Sequence, residues 1–175
     1  MLSKALFLDR DGVINIDNGH VYKIADFIFV EDIFNLTKLA QNNDYLIIVI
    51  TNQAGIARGK YTENDFLELT NWVNDQFSRN GVNLTSTYYC PHHPNFGNQK
   101  YKKKCDCRKP GSLLFNQAKE TFNIDMKSSI MIGDKLSDLE AAKNAGVGRL
   151  LLFSNDINDE FETISSLSKA IDILF

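Results

Sequence analysis

Residues 5–12 read ALFLDRDG, so four apolar residues run directly into two carboxylates and a glycine. A short, continuous apolar run is typical of a strand in a parallel sheet, where both faces are buried. Further runs of this kind follow at residues 45–50, 130–132 and 150–153. These segments predict the strands of one sheet.

Helical spacing of apolar residues fills the intervals between these runs, at residues 33–40, 66–77 and 113–122. Strands that alternate with helices indicate an α/β fold with a mostly parallel central sheet and helices on both faces. No linker or second core interrupts the pattern, so we expect a single domain over residues 1–175.

Two pairs of residues resemble capping boxes, in which side chains bond the free N–H groups that begin a helix. Thr62 with Asp65 predicts the start of the helix over residues 66–77, and Ser137 with Glu140 predicts the start of a later one. Gly146 predicts the end of that later helix, because glycine tolerates the left-handed conformation found there.

The composition excludes several classes of protein. The 175 residues are 43% hydrophobic and 23% charged, which is typical of a globular chain. A net charge of −3 and a pI near 5.6 argue against binding to nucleic acid or to an anionic membrane. No apolar run approaches the roughly 20 residues of a membrane span, and the first strand follows the start closely. We therefore expect a cytoplasmic monomer without a signal peptide.

Asp9 and Asp11 leave the first strand together, and Gly12 permits a sharp exit of the chain. Two close carboxylates raise each other's pKa unless a cation compensates their charge. Mg²⁺ prefers such oxygen ligands and also binds phosphate oxygens. One aspartate could then attack phosphorus while the other transfers a proton. The alternative is a strand-end aspartate that caps the following turn.

Other polar residues follow the remaining strands. Asp134 and Lys135 follow residues 130–132, where the carboxylate could complete a metal site and the lysine could neutralise phosphate. Asp138 lies one turn further on. Thr51 ends the second strand with a hydroxyl and exposed N–H groups, which suit a phosphate. Because carboxyl ends of parallel strands share one edge of a sheet, these residues predict one site.

Cys90, His92, Cys105 and Cys107 form a second group of candidate ligands. Three thiolates and one imidazole fill a tetrahedral zinc shell, so this site would be structural and would order a loop over about residues 90–107. A redox cysteine pair and ordinary buried thiols are the alternatives.

The lysine-rich run at residues 100–104 lies inside this loop. It could steer an anionic substrate towards the site, or it could be a solvated loop tip. A zinc module that binds nucleic acid is a further alternative, against which the acidic pI argues.

Several segments resemble the conserved motifs of a known enzyme group. The segments at residues 7–13, 51–52, 109 and 133–138 resemble the four motifs of the haloacid dehalogenase (HAD) superfamily. More narrowly, residues 51–59, 89–94 and 105–110 are similar to D-glycero-D-manno-heptose 1,7-bisphosphate 7-phosphatases and the related histidinol-phosphate phosphatases. The resemblance implies a Rossmann-like HAD fold without a large cap domain.

The resemblance also implies the roles of the catalytic residues. Asp9 would be the nucleophile and a Mg²⁺ ligand, and Asp11 would be the general acid and base that binds Mg²⁺ through its backbone carbonyl. Thr51 and Lys109 would hold the transferring phosphoryl group, and Asp134 would complete the magnesium ligands. The expected reaction is phosphoryl transfer through an aspartyl phosphate.

Substrate contacts are expected for a further set of residues: Asp17, Asn18, Gly19, His20, Asn52, Gln53, Ala54, Arg108 and Lys135. Ala54 departs from the family pattern, where serine is common. The expected substrate is heptose 1,7-bisphosphate, in the synthesis of ADP- or GDP-heptose precursors for bacterial lipopolysaccharide. Histidinol phosphate is the alternative substrate, and a catalytically silent scaffold is a further alternative.

Overall fold

The computed structural model describes residues 2–175, so Met1, with which the predicted domain begins, lies outside the described residues. Residues 2–175 form six strands and six helices. The strands are β1 (Lys4–Leu8), β2 (Tyr45–Asn52), β3 (Leu84–Cys90), β4 (Ile130–Gly133), β5 (Arg149–Phe153) and β6 (Glu162–Ile164). The helices are α1 (Ile33–Asn42), α2 (Ala54–Ala57), α3 (Glu63–Arg79), α4 (Leu113–Phe122), α5 (Leu136–Asn144) and α6 (Leu167–Leu174).

All neighbouring strands of the sheet are parallel, in the order β3-β2-β1-β4-β5-β6. In the centre, Leu8 at the end of β1 lies opposite Val49 of β2 and Ile132 of β4. The chain first builds the sheet on one side of β1 and then crosses to the other side. Open α/β sheets bind ligands at such a switch point, and the residues that follow β1, β2 and β4 meet there.

Two hydrophobic cores cover the two faces of the sheet. Leu6 and Leu8 of β1 point into the core formed with α1, α3 and α6. Ala5 and Phe7 point into the other core, formed with α4 and α5. The alternation explains why the β1 segment is apolar without interruption, because both faces of the strand are covered. The predicted α/β fold with helices on both faces is confirmed.

The two predicted capping boxes have different outcomes. Thr62 and Asp65 form the predicted box at the start of α3. The box of Ser137 with Glu140 is wrong, because α5 already begins at Leu136. Asp138 takes the position expected of Glu140 in the box, and its carboxylate accepts the N–H of Lys135 at 3.1 Å.

No large cap domain is present among residues 2–175. The long segment after β1 folds back on itself instead, since Ile16 N–H donates to the carbonyl of Ile28 and Val30 N–H donates to that of Ile14. Its only regular element is a 3₁₀ turn at Ile24–Asp26. No helix in the described part of the chain is long and apolar enough to cross a membrane.

Candidate active site

Lys109 is the centre of a buried charge cluster beneath the carboxyl ends of β1, β2 and β4. Its ammonium group donates to Asp9 Oδ1 at 2.8 Å and to the carbonyl of Ile50 at 2.7 Å. It also pairs with Asp138 Oδ1 at 2.8 Å. All three charged residues are almost fully buried. Burial disfavours the charged form of a lysine, and the three acceptors around this ammonium group offset that cost.

Burial and neighbouring charges shift the pKa values of this cluster. Burial raises the pKa of Asp9 above its ordinary value, although Lys109 beside it acts in the opposite direction. Burial alone would lower the pKa of Lys109, but the carboxylates of Asp9 and Asp138 raise it. The lysine is therefore a fixed positive charge beside the predicted nucleophile.

Asp134 forms a group of three carboxylates with Asp9 and Asp138. Each residue offers one oxygen, and these three oxygens all lie within 4.8 Å of one another. The Oδ1 atom of Asp134 is buried and has no hydrogen-bond partner among residues 2–175. Burial, with the charge of Asp9, raises the pKa of Asp134 to about 7. A divalent cation would satisfy the orphan oxygen and offset this repulsion, so the hard oxygen ligands fit Mg²⁺.

Gly12 makes room for Asp134. Its φ is +94°, and a Cβ atom there would lie 2.3 Å from Asp134 Oδ2. The glycine therefore permits both the sharp turn that the sequence predicts and the close approach of the carboxylate.

Asp11 is held at the edge of the cluster by donors on both carboxylate oxygens. Its Oδ1 accepts from Arg10 Nη2 at 2.8 Å and from Asn15 Nδ2 at 3.2 Å, and its Oδ2 accepts from Gln53 Nε2 at 3.0 Å. Arg10 is itself buried and also donates to the carbonyl of Val21. Asp11 thus has a defined orientation near the predicted nucleophile.

Gln53 links Asp11 to two further residues. Its Nε2 also donates to Thr51 Oγ1 at 2.9 Å, and its Oε1 accepts from the hydroxyl of Tyr61 at 2.5 Å. Burial raises the pKa of Tyr61 to about 12, so its hydroxyl stays protonated at neutral pH. Both the nitrogen and the oxygen of the Gln53 amide therefore have hydrogen-bond partners.

Asn52 fixes the backbone of Lys109. Its Oδ1 accepts the N–H of Lys109 at 3.0 Å, and its Nδ2 donates to the Lys109 carbonyl at 3.2 Å. The end of β2 thereby holds a residue that lies outside any helix or strand.

A cavity of about 550 Å³ opens above these residues. Seven of the predicted substrate-contacting residues line it: Asp17, Gly19, His20, Asn52, Ala54, Arg108 and Lys135. Asn18 and Gln53 are not among the lining residues; Asn18 is exposed and Gln53 is buried below the cavity. The lining residues that the sequence did not indicate as substrate contacts or catalytic groups are Gly55, Tyr61, Pro110, Ser137 and Asp138.

Lys135 and Asp17 approach each other at the mouth of this cavity, with 3.4 Å between Nζ and Oδ2. Lys135 also lies 3.7 Å from Asp134 Oδ2. Burial would lower the pKa of Lys135, but the carboxylates of Asp134, Asp9 and Asp17 raise it. The mouth therefore offers a protonated lysine to an anionic group.

The predicted zinc ligands Cys90, His92, Cys105 and Cys107 come together in space, with ligand atoms that all lie within 4.8 Å of one another. His92 Nδ1 lies 3.2 Å from the sulfur of Cys107, and the sulfurs of Cys105 and Cys107 are 3.2 Å apart. Atoms this close can share one ion bound at about 2.0–2.3 Å. Three sulfurs and one imidazole nitrogen fit zinc.

Glu63 of α3 anchors the tip of the cysteine-containing loop. Its carboxylate accepts hydrogen bonds from Lys100 at 2.8 Å, Tyr101 at 2.6 Å and Tyr89 at 2.8 Å. These bonds lower the pKa of Glu63 to about 2. In the lysine-rich run, Lys100 is therefore paired, whereas residues 102–104 are exposed.

Known proteins resemble this chain in both sequence and fold. A family model described as HAD-hydrolase-like matches residues 106–160. A D-glycero-beta-D-manno-heptose-1,7-bisphosphate 7-phosphatase of Vibrio cholerae is 49% identical over 152 residues, covering 87% of this chain and 82% of the relative. A D-glycero-alpha-D-manno-heptose-1,7-bisphosphate 7-phosphatase of Burkholderia mallei is 45% identical over 152 residues, covering 87% of this chain and 80% of the relative.

Solved structures show the same fold. A HAD-like protein of Mesorhizobium loti has a TM-score of 0.90 at 27% identity, covering 99% of this chain and 85% of that chain. A D,D-heptose 1,7-bisphosphate phosphatase of B. bronchiseptica, complexed with magnesium and phosphate, has a TM-score of 0.83 at 23% identity, covering 98% and 97% of the two chains.

The fold and the carboxylate–lysine site define a phosphatase of the HAD class. The sequence identity of 45–49% with the two bacterial relatives assigns the chain to one family within this class. The chain belongs to the D-glycero-D-manno-heptose-1,7-bisphosphate 7-phosphatase family.

Proposed function

We propose that this enzyme removes the 7-phosphate of D-glycero-D-manno-heptose 1,7-bisphosphate through an aspartyl phosphate on Asp9. The buried pair of Asp9 and Lys109, with the half-buried Asp134 beside it and an open cavity above, is the observation that carries this proposal. Relatives that are up to 49% identical to this chain are named for this substrate.

In the first half of the reaction, a carboxylate oxygen of Asp9 attacks phosphorus and the bond to the sugar oxygen breaks. Lys109 is held 2.8 Å from Asp9 and compensates charge as the phosphoryl group transfers. Thr51 would donate its hydroxyl to a phosphoryl oxygen, and Asp11 would protonate the departing alkoxide. In the second half, Asp11 takes a proton from the water that attacks the aspartyl phosphate.

Magnesium would be held by Asp9, Asp134 and the backbone carbonyl of Asp11, and it would supply positive charge beside the phosphate. The orphan Oδ1 of Asp134 and its raised pKa support this assignment. Asp138 is best regarded as the partner of Lys109, because Lys109 and the N–H of Lys135 already occupy its oxygens.

The second phosphate of the substrate would lie towards the mouth of the cavity. Arg108 and Lys135 both line the cavity and supply two cationic side chains there. Asp17, Gly19 and His20, from the segment after β1, would contact the sugar, as would Asn18 at its exposed edge. Asn52, Gln53 and Ala54 complete the predicted contact set from the β2 side.

Zinc held by Cys90, His92, Cys105 and Cys107 would be structural, because four protein ligands leave no open position. We also propose that residues 1–175 form one monomeric domain that binds no nucleic acid and no membrane. Three free thiols that serve as zinc ligands suit the reducing cytoplasm. A role in nucleotide-activated heptose synthesis for lipopolysaccharide remains an expectation from the family resemblance.

Phosphate release from each anomer of heptose 1,7-bisphosphate and from histidinol phosphate tests the substrate. A relative named for the beta anomer is 49% identical to this chain, and one named for the alpha anomer is 45% identical. Activity on both anomers must therefore be measured. We expect kcat/KM for one heptose anomer to exceed that for histidinol phosphate by orders of magnitude. The opposite preference would keep the mechanism and refute the substrate.

Asp9→Asn tests the nucleophile. An amide cannot form the aspartyl phosphate, so we expect turnover to fall at least about 1,000-fold while thermal unfolding changes little. Asp75→Asn is the control, since it makes the same change at an exposed carboxylate of α3 that does not line the cavity. Substantial turnover by a clean Asp9→Asn preparation would refute the covalent mechanism.

A further inference from the structure

Tyr61 occupies a place that the mechanism above does not use. It lies beyond α2, lines the cavity and is 7% exposed. Its hydroxyl donates to Gln53 Oε1 at 2.5 Å, and the Nε2 of the same amide donates to Asp11 Oδ2 at 3.0 Å and to Thr51 Oγ1 at 2.9 Å. One tyrosine hydroxyl is therefore connected, through one amide, to two predicted catalytic groups.

The direction of these hydrogen bonds matters. A side-chain amide can place either its oxygen or its NH₂ group towards Asp11. Only the NH₂ group can donate to a carboxylate, whereas the oxygen would repel it. The hydroxyl of Tyr61 donates to the amide oxygen on the opposite side, so it stabilises the orientation of Gln53 that Asp11 requires.

The same orientation acts on Thr51. Its oxygen accepts from Gln53 Nε2, so the Thr51 proton remains available to the phosphoryl group. We propose that Tyr61 and Gln53 are positioning residues that orient the Asp11 carboxylate and the Thr51 hydroxyl for phosphoryl transfer. This inference rests on the proposed function, because it assumes the roles given there to Asp11 and Thr51.

The packing around Tyr61 supports a fixed position for its ring. A Cβ atom on Gly55 would lie 2.2 Å from Tyr61 Cε1, so only glycine allows the observed approach. On its other side Tyr61 stacks on Tyr22, with ring centroids 5.2 Å apart and an interplanar angle of 14°. The ring thus has support that does not depend on its hydroxyl.

Tyr61→Phe tests the proposal because it keeps the ring and removes the hydroxyl. Tyr22→Phe is the matched control: it removes the hydroxyl of the stacked neighbour, which makes no hydrogen bond within residues 2–175. We expect Tyr61→Phe to lower kcat for heptose 1,7-bisphosphate about tenfold, with KM changed less than twofold. Tyr22→Phe should change kcat less than twofold.

A double-mutant cycle with Gln53→Ala separates positioning from general structural damage. If Tyr61 acts through the amide, Tyr61→Phe should have no further effect on kcat in the Gln53→Ala background. Equal kcat values for Tyr61→Phe and Tyr22→Phe would overturn the inference, as would additive effects in the cycle. If the wild type does not hydrolyse heptose 1,7-bisphosphate, the proposed substrate fails, and the same cycle is measured with the phosphate monoester that it does hydrolyse.

Discussion

Asp138→Asn is the most direct perturbation of the buried cluster beneath the cavity. Asp138 uses both of its oxygens, since Oδ1 pairs with Lys109 Nζ at 2.8 Å and Oδ2 accepts the N–H of Lys135 at 3.1 Å. Asparagine has nearly the same shape but only one acceptor oxygen. In the variant, one of these two donors must therefore face an NH₂ group instead of an acceptor.

The free energy of unfolding should fall by about 2 kcal/mol. A buried hydrogen bond made by a charged group contributes about 1.5–3 kcal/mol. Breaking an isolated buried ion pair costs about 3–5 kcal/mol, but Lys109 keeps Asp9 and the Ile50 carbonyl as partners. For a chain of this size, we expect the Tm to decrease by about 4–8 °C.

Thermal unfolding followed by circular dichroism measures this change, in buffer without Mg²⁺ and with zinc retained. Glu140→Gln is the matched control, because it removes one negative charge from an exposed position on the same helix. Its effect should stay below about 0.5 kcal/mol. If Asp138→Asn unfolds within 1 °C of the wild type, the cluster does not stabilise the fold as the geometry indicates.

Three further predictions follow from the site. Gly12→Ala should raise the Mg²⁺ concentration for half-maximal activity about tenfold, because its Cβ would displace Asp134. Gly59→Ala is the control for backbone strain, since Gly59 has a φ of +67° and no atom lies within 4 Å of the added Cβ. Equal changes in the Mg²⁺ concentration for the two variants would refute the role of the contact between Gly12 and Asp134. The purified chain should contain about one zinc ion. Removal of zinc by a chelator should abolish activity, even at saturating Mg²⁺, until zinc is restored. Full activity without zinc would refute a structural role for the metal. Folding lowers the pKa of Glu63 from 4.5 to about 2, so its contribution to the stability of the fold is complete above pH 4.5 and is lost as the pH falls through 2. The Tm difference between the wild type and Glu63→Gln should therefore be largest at neutral pH and should shrink below pH 4.5. A Tm difference that does not depend on pH would contradict the assignment.

The sequence predicts most of the sheet because β1, β2, β4 and β5 are apolar runs buried in the sheet. β3 is only half-buried and reads LTSTYYC, so its polar composition indicates a strand weakly. The sequence pattern does not predict β6 or α6. β6 has three residues at the edge of the sheet, and its place depends on pairing with β5 rather than on its own composition.

The site could be predicted to the extent that it depends on strand ends. Asp9 and Asp134 come together, and Thr51 lies at the same edge, because parallel strands place their carboxyl ends at one edge of the sheet. The sequence places Asp138 one turn beyond Asp134, at the start of α5, but it does not predict the role of Asp138 as the partner of Lys109. Tyr61 gave no local signal, because its contact with Gln53 depends on the turn after α2 and on the absence of a side chain at Gly55.

The position of Lys109 shows how this fold holds a predicted catalytic cation without a cap and without a regular element. Cys107, two residues earlier, belongs to the proposed zinc cluster, so the chain enters the site from a fixed point. Asn52 then holds the Lys109 backbone by two hydrogen bonds, and three acceptors hold its ammonium group. These supports come from β2, from the end of β1 and from α5, in addition to the cysteine-containing loop. Because the proposed zinc ligand Cys107 fixes the chain two residues before Lys109, loss of zinc should loosen the lysine even though the metal would lie outside the reacting centre.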